Sequence, residues 1–277
     1  MDAQKQTQKA TITGLILTCN GERLLPQCLA SLAFCDKLLL VDSGSTDATE
    51  QLAKDVQARF IFNPWTGFAD QFTFAAKHID TDWFFILDQD EICDATLATQ
   101  IQEAIQGPQG QDSTLSAFST NRVSWYFDRF LRHSGWYPDR IPRVFKRDEV
   151  TFSQDAHIHY HPKGRTETLQ SGHIIHYPYT GFDNHWTKMG VYAQQGADHM
   201  RAKGKKPSLL KAVLHAHWKF IRIYVLKQGF RDGKAGFITA CFASFYTFSR
   251  YVRVFDASWG APYTDRPAFL DEETKKS

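Results

Sequence analysis

Residues 82–97 read DWFFILDQDEICDATL, and this stretch decides the fold. Its first part, from Trp83 to Leu87, is too continuously apolar for a strand with one face in water. It therefore predicts a short strand that is buried on both faces. Three carboxylates follow at once, on Asp88, Asp90 and Glu91. A buried strand that ends in clustered negative charge usually faces something positive.

The segments before this stretch repeat the same scheme. An apolar strand starts near Thr11 and ends at Asn20, a second covers Leu38 to Val41 and ends at Asp42, and ARFIF at 58–62 predicts a third. Segments with helical spacing separate them, so we expect an α/β fold with a mostly parallel sheet and helices on both faces. Ligands of such sheets bind outside the carboxyl ends of the strands, where these polar residues lie.

The regular alternation fades after residue 107, and helical patterns dominate from Trp186 to about Phe255. We expect residues 11–180 to form one catalytic domain. A basic helical extension should cover residues 181–257, and residues 1–10 and 265–277 should form disordered tails.

Composition restricts the class of protein. The 277 residues are 43% hydrophobic and 22% charged with a net charge of +2, so no global field points to nucleic acid. The five cysteines form no CxxC pair, which indicates a reducing compartment. The first ten residues contain no apolar signal core, and residues 235–249 are too short and too polar for a membrane span. We therefore expect a cytoplasmic protein.

Most catalytic signatures do not occur in the sequence. It has no GxGxxG after the first strand, no P-loop, no HExxH and no GxSxG. Asp88 and Asp90 remain, and two carboxylates spaced i, i+2 across a turn suit a hard divalent cation that also binds phosphate oxygens. The alternative is that these acids cap the helix that begins near Asp94.

Several motifs in this order resemble the nucleotide-binding half of family 2 glycosyltransferases. They are LILTCNGERLLPQCLASL (15–32), LLLVDSGSTDAT (38–49), PWTGFADQFTFAA (64–76) and WFFILDQDE (83–91). RHSGWYPDR (132–140) and FRDGKAGF (230–237) resemble more narrowly the branch that adds sugars to the inner core of lipopolysaccharide or lipooligosaccharide.

This resemblance implies a GT-A fold and an inverting transfer of a hexose, expected to be glucose, from a UDP-sugar with Mg²⁺ or Mn²⁺. Asp90 would ligate the metal, and Asp88 would touch the metal or the ribose. The metal would neutralise negative charge on the departing diphosphate. This metal would be the positive partner that the acidic strand end indicates. The remaining nucleotide-binding residues would be Thr18, Asn20, Glu22, Asp42, Ser43, Gly44 and Ser45.

The general base is open, because inversion requires one and the chain departs from its relatives at that point. Relatives tend to carry Val-His-Glu where this chain has Ile158-His159-Tyr160, without a glutamate. Beside the metal ligand Asp90, the candidate catalytic residues that could act as the base are Asp139, Asp155, His157 and His159. Glu91 is another possibility, although a carboxylate next to a metal more often supports the metal's ligand shell. Two other functions stay open: a non-catalytic glycolipid-binding relative and a sugar-phosphate nucleotidyltransferase, although TCNGERLL lacks the Gly-rich basic loop of the latter.

The acceptor is expected to contact the aromatic and basic segment at 132–140, by ring stacking and bidentate contacts. The candidate residues are Arg132, His133, Trp136, Tyr137 and Arg140. The alternative is an aromatic loop packed on the core.

Residues 208–234 place an apolar stripe beside basic side chains on one predicted helix. The pattern is typical of a helix on an anionic lipid surface, and equally of a helix packed on the catalytic domain with a solvated basic face. A lipid-linked acceptor, which the resemblance implies, favours peripheral contact with the cytoplasmic face of the inner membrane. The stripe contains Leu210, Val213, Leu214, Trp218, Ile221 and Val225, and Lys211, Lys219, Arg222 and Lys227 flank it.

Overall fold

A computed structural model describes residues 9–154, 158–206 and 208–258. The chain divides into two compact units, residues 1–178 and residues 179–277. Of the expected disordered tails, residues 1–8 and 265–277 lie outside the described residues. Ala10 was expected in the first tail, but it is buried, and both its backbone N–H and its carbonyl bond to the side chain of Gln106.

Four parallel strands form the first half of the sheet in the N-terminal unit. Because these strands are almost continuously apolar, both faces of the sheet can be buried, and helices follow the first three strands. The order along the chain is β1 (Ile12–Thr18), α1 (Leu25–Ser31), β2 (Lys37–Asp42), α2 (Thr49–Asp55), β3 (Arg59–Phe62), α3 (Phe68–Ala76) and β4 (Trp83–Asp88).

The second half of the unit adds mixed strands to this sheet. These strands are β5 (Glu91–Cys93), β6 (Leu115–Tyr126), β7 (Arg129–Phe130), β8 (Asp139–Lys146), β11 (Arg165–Thr168) and β12 (Ile174–His176). Helices α4 (Ala95–Gln106) and α5 (Pro108–Gln111) lie between β5 and β6 in the chain, and β9 (Val150–Gln154) and β10 (Ile158–Pro162) form a separate hairpin. The strand order is β3-β2-β1-β4-β8-β6-β12-β5, with β7 and β11 paired to β6. β8 runs antiparallel to both β4 and β6, which brings residues from distant parts of the sequence under the end of β4.

Both faces of the sheet are packed, as the buried strands predict. One face includes Ile16, Leu29, Leu87 and Ile101 in its core. The opposite face includes Leu15, Phe72, Phe84 and Phe145. The α/β fold class expected from the sequence is confirmed.

The C-terminal unit is helical. It contains α6 (Phe182–Ala202), α7 (Leu209–Ile221), a π-helical turn (Arg222–Leu226), a 3₁₀ turn (Gly229–Asp232), α8 (Gly233–Val252) and a final 3₁₀ turn (Arg253–Ser258). Gly236 has no room for a side chain, because a Cβ there would lie 1.9 Å from the carbonyl oxygen of Gly229. Among the described residues, no helix has both the length and the apolar character needed to cross a bilayer.

Helix α7 presents its large apolar side chains outward. Its buried residues are the small Ala212 and Ala216, whereas the predicted apolar stripe, which continues beyond α7 to Val225 in the π-helical turn, is exposed at all six positions. This arrangement is the reverse of the usual pattern for a surface helix in water. A groove of about 680 Å³ between α7 and α8 continues the apolar surface, with Phe220, Phe245 and Phe248 in its lining.

Candidate functional site

The carboxyl ends of three parallel strands meet at one edge of the sheet. Thr18 of β1 lies beside Asp42 of β2, and Leu17 of β1 lies beside Asp88 of β4. A cavity of about 410 Å³ opens at this edge. Its lining combines apolar, aromatic and acidic side chains from Leu17, Thr18, Cys19, Val41, Ser43, Trp65, Phe68, Gln71, Asp88, Gln89 and Asp90.

Gln89, between the two aspartates, ties the end of β4 to the end of β1. Its Oε1 accepts hydrogen bonds from the Thr18 hydroxyl at 2.8 Å and from the Cys19 backbone N–H at 3.0 Å. Its Nε2 donates to the Cys19 carbonyl at 3.1 Å. Gly21 leaves room for this side chain, because a Cβ at position 21 would lie 2.6 Å from Gln89 Oε1 and Gln89 would have to shift. The predicted Thr18 therefore lines the cavity with its hydroxyl engaged by Gln89.

The turns after β1 and β2 are hydrogen-bonded to each other. The Asn20 backbone N–H donates to the Ser45 hydroxyl, and the Asn20 side-chain oxygen accepts from the Thr46 N–H at 2.9 Å. Glu22 joins the same turns, since its carboxylate accepts from the Ala48 N–H at 3.2 Å. Asn20 and Glu22, both predicted in the nucleotide pocket, thus hold the frame of the site.

Asp42 organises its own turn. Its buried carboxylate accepts from the backbone N–H groups of Gly44 and Ser45, each at 2.8 Å, and from the Ser45 hydroxyl. Gly44 has a φ of 115°, a conformation that favours glycine. Of the predicted residues in this turn, Ser43 lines the cavity.

Five charged side chains alternate in sign beneath the strand end, and we call them the charge network: Asp88, Arg143, Glu91, Arg122 and Asp139. Arg143 Nη2 donates to Asp88 Oδ2 at 2.8 Å and to Glu91 Oε1 at 3.1 Å. Arg122 donates to Glu91 Oε1 at 3.0 Å and to Asp139 Oδ2 at 2.9 Å. The Glu91 side chain has an exposed fraction of 0% and Arg143 of 4%, while Asp88 keeps 39%. The network therefore fixes a partly exposed carboxylate from below.

Burial and charge shift the pKa values within this network. Burial raises the pKa of Glu91 to about 7, although Arg143 and Arg122 attract its ionised form. Burial also acts to raise the pKa of Asp88, but the Arg143 guanidinium more than offsets it and the pKa of Asp88 falls below its ordinary value. Asp88 consequently presents a stable negative charge at the cavity.

Helix capping does not use the Asp88–Glu91 acids. Asp94 caps α4, with its Oδ1 accepting from the Leu97 backbone N–H at 2.7 Å. Glu91 instead accepts from the Asp88 N–H at 3.0 Å through its second oxygen. The alternative interpretation of this cluster as a helix cap therefore applies to Asp94 alone.

Asp90 lies beside a histidine that the sequence did not single out. His176 of β12 places Nε2 at 3.8 Å from Asp90 Oδ1, and its Nδ1 lies 3.2 Å from the Ser124 hydroxyl. The Tyr177 backbone N–H donates to the Asp90 carbonyl at 3.0 Å, which holds the two segments together. Within the residues that the structure describes, no group of three or more His, Cys, Asp or Glu side chains could hold a metal ion.

The predicted acceptor segment is held by contacts of its own. Arg132 lies over the Tyr137 ring at 5.2 Å, and the Tyr137 hydroxyl lies 3.1 Å from His173 Nε2. The Trp136 ring packs at 5.9 Å from Tyr126. Arg140 of β8 is exposed, and the His133 carbonyl accepts from the Trp136 N–H at 3.0 Å. The segment is a structured aromatic surface.

The candidate bases differ in their surroundings. Asp139 pairs with Arg122 and retains an exposed fraction of 34%. His159 lies exposed on β10, with its ring 6.3 Å from that of His161. Asp155 and His157 lie outside the described residues.

Sequence reasoning assigned no role to several residues of this site. Arg122 and Arg143 carried no local signal, because their partners are distant in sequence. Trp65 and Phe68 belong to the PWTGF segment quoted above, and its resemblance to the family could have indicated that they line the site. His176 follows the strand-like Ile174 and Ile175, and that pattern could have pointed to it.

The family model for glycosyl transferase family 2 matches residues 15–184. A lipopolysaccharide core biosynthesis glycosyltransferase, LpsC of Rhizobium meliloti (strain 1021), is 28% identical over 261 residues, which are 89% of this chain and 93% of that protein. An uncharacterized glycosyltransferase of Rickettsia bellii (strain RML369-C) is 25% identical and covers 89% of this chain and 87% of its own length. Mannosyltransferase PcManGT from Pyrobaculum calidifontis, solved with GDP-Man and Mn²⁺, is 15% identical over 97% of this chain and 81% of that one, with a TM-score of 0.48.

Proposed function

Because the chain belongs to glycosyl transferase family 2, we propose that it transfers a hexose, glucose, from a UDP-sugar to a lipopolysaccharide or lipooligosaccharide core acceptor. Transfer would invert the anomeric carbon. The observation that carries this proposal is the cavity at the ends of β1, β2 and β4, which has a predominantly apolar side and two aspartates, Asp88 and Asp90, at the end of β4. The similarity to the Rhizobium lipopolysaccharide core enzyme over most of both chains supports the acceptor class.

A divalent cation, Mg²⁺ or Mn²⁺, fits these residues. Asp90 and Asp88 would hold it, and His176 offers a nitrogen beside Asp90. Hard cations of this kind are bound by one or two carboxylates and complete their shell with phosphate oxygens and water, so a cluster of three protein ligands is not required. When bound, the cation would stabilise negative charge on the leaving diphosphate.

The chain itself contributes a fixed electrostatic frame. Arg143 holds the Asp88 carboxylate in one orientation, and Glu91 holds Arg143, so little reorganisation is needed when a donor binds. Gln89 and the paired turns after β1 and β2 keep the cavity wall in place.

Proton removal from the acceptor hydroxyl requires a base with access to that hydroxyl. Glu91 is fully buried and occupied by two arginines, which suits support of the site better than proton transfer. Asp139 and His159 retain exposed surface. The candidates for the base are therefore Asp139, His159, Asp155 and His157. We assign contact with the acceptor to the aromatic segment at 132–140.

The proposal includes peripheral contact with an anionic membrane on its cytoplasmic side. The exposed apolar stripe of α7 and the groove beside it give a surface that could enter the headgroup region. Basic residues flank this stripe, and near an anionic leaflet each contributes about 1 kcal/mol. A lipid-linked acceptor would be presented at that surface.

Transfer assays test the proposed function. UDP-glucose, Mn²⁺ and a truncated lipooligosaccharide acceptor should yield an acceptor one hexose heavier by mass spectrometry, with the β anomer identified by NMR. Asp90→Asn should abolish the product, whereas Asp55→Asn, which changes an exposed acid on α2, should not. Binding of acceptor without transfer from any nucleotide sugar would indicate a non-catalytic glycolipid-binding protein. Release of pyrophosphate from a nucleoside triphosphate would indicate a nucleotidyltransferase.

A further inference from the structure

An exposed tryptophan lines the cavity after the end of β3, whereas the two aspartates lie at the end of β4. Trp65, in the loop between β3 and α3, has an exposed fraction of 51% and contacts the cavity. Its ring packs edge-on against Phe68, with centroids 4.8 Å apart and planes at 90°. Trp65 therefore keeps apolar surface open to solvent at the cavity, and a ligand that covered the ring would remove this surface from water.

The loop that carries this ring is held in place from within. Gln71 has an exposed fraction of 1%, and its Nε2 donates to the carbonyls of Asn63 and Pro64 at 2.9 and 2.8 Å. Its Oε1 accepts from Asn63 Nδ2 at 2.9 Å. Trp65 is thus preorganised, so that a flat ligand could stack on it without first ordering the loop.

The strand order sets the distance between the two ends of the cavity. Trp65 follows β3 and Asp90 follows β4, and in the order β3-β2-β1-β4 these two strands are three strand spacings, about 14 Å, apart. The apolar side chains of Leu17 and Val41 lie between these ends in the cavity lining. The cavity thus has an acidic end, which suits a metal-bound diphosphate, and an aromatic end. Apolar side chains line the cavity between them.

We propose that Trp65 is the platform on which the nucleobase of the donor stacks. This inference rests on the proposed function, which puts the diphosphate of a nucleotide sugar at Asp90. A nucleotide that lies across the strand ends with its diphosphate there directs its base toward β2 and β3. The base then covers the exposed indole face and removes apolar surface from water on both partners.

Calorimetric titrations separate the base from the diphosphate. UDP and inorganic pyrophosphate, each with Mn²⁺, are titrated into the parent chain, Trp65→Ala and Trp65→Phe. Stacking of one base on an aromatic side chain corresponds to roughly tenfold or more in affinity. We therefore expect Trp65→Ala to weaken UDP by at least that factor and to leave pyrophosphate unchanged, and Trp65→Phe to retain most of the UDP affinity. Trp186→Ala is the matched control, since Trp186 is 47% exposed in the C-terminal unit.

Three results would overturn the inference while leaving the proposed function intact. The first is unchanged UDP affinity in Trp65→Ala. The second is equal weakening of UDP and pyrophosphate, which would mean that Trp65 acts by shaping the loop. The third is a loss confined to UDP-glucose with UDP unaffected, which would assign the ring to the sugar. A parent chain that binds neither UDP nor GDP with Mn²⁺ would instead overturn the proposed function and this inference with it.

Discussion

Replacing Arg143 with methionine removes the central positive charge of the charge network and keeps a buried side chain of moderate length. Loss of one partner from a buried ion pair typically costs about 3–5 kcal/mol. Glu91 would retain Arg122 and the Asp88 backbone N–H, and Asp88 is exposed enough to be rehydrated. We therefore expect the free energy of unfolding to fall by a value near the lower limit, about 3 kcal/mol.

Arg122→Met provides a graded comparison within the same network. Arg122 is partly exposed, and its partner Asp139 also reaches water, so removal of this guanidinium leaves less uncompensated charge. We expect a loss of about 1 kcal/mol for this variant. The order of the two losses follows from burial, because both arginines bind Glu91 Oε1 at nearly equal distances.

Urea unfolding followed by circular dichroism measures these free energies by linear extrapolation. Arg129→Met is the control, since Arg129 forms an exposed ion pair with Asp128 and its loss should change stability by no more than about 0.5 kcal/mol. If Arg143→Met is no more destabilised than Arg129→Met, the network does not stabilise the sheet edge and the reasoning fails.

Two further predictions concern the C-terminal unit. If the four basic residues that flank the apolar stripe are replaced with glutamine, the protein should no longer bind anionic vesicles at low salt. The same replacement at Lys37, Lys54, Lys77 and Lys163 should leave binding unchanged. A parent chain that does not bind such vesicles would contradict membrane contact. His185 is packed between Tyr179 and Phe242, and burial followed by repulsion from Lys188 lowers its pKa from 6.5 to about 4. Because the unfolded chain protonates this imidazole more readily than the folded one, the free energy of unfolding should fall by up to about 3 kcal/mol as pH decreases from 6.5 toward 4. His185→Phe should not show this decrease. Urea unfolding at a series of pH values measures it, and parallel profiles for the two proteins would contradict the prediction.

Local sequence patterns predicted the first half of the fold well. The strands that end at Asp42 and Asp88 are buried and almost uniformly apolar, so their type and position depend little on the rest of the chain. The membership in family 2 is likewise confirmed, and the motifs that identified it lie at these strand ends. Parallel strands then bring their carboxyl ends together by geometry alone.

The charge network could not be predicted, because it depends on which strands pair and in what register. Arg143 reaches Asp88 through the antiparallel pairing of β4 with β8, and Arg122 reaches Asp139 through the pairing of β6 with β8. A shift of one residue in either register would turn these side chains to the other face. His176 depends in the same way on β12 lying between β6 and β5.

Asp42 shows how one local pattern can support two interpretations. Its position after a buried strand suggested contact with a nucleotide, and that role stays a prediction. The turn contacts that the structure reveals could have been inferred as well, because an aspartate before Gly44 and Ser45 commonly accepts hydrogen bonds from backbone N–H groups two and three residues later.

Gln89 is the middle residue of the triplet Asp88-Gln89-Asp90, a pattern of two aspartates in which the central position is usually left unspecified. Here its amide accepts from Thr18 and Cys19 and donates to Cys19, while Gly21 leaves the space that the side chain fills. The choice at position 89 is therefore coupled to the choices at 18 and 21. In homologous chains that share this geometry, we expect the three positions to covary. The residue at position 89 would then indicate which residues the neighbouring strand β1 and its turn carry at positions 18 and 21.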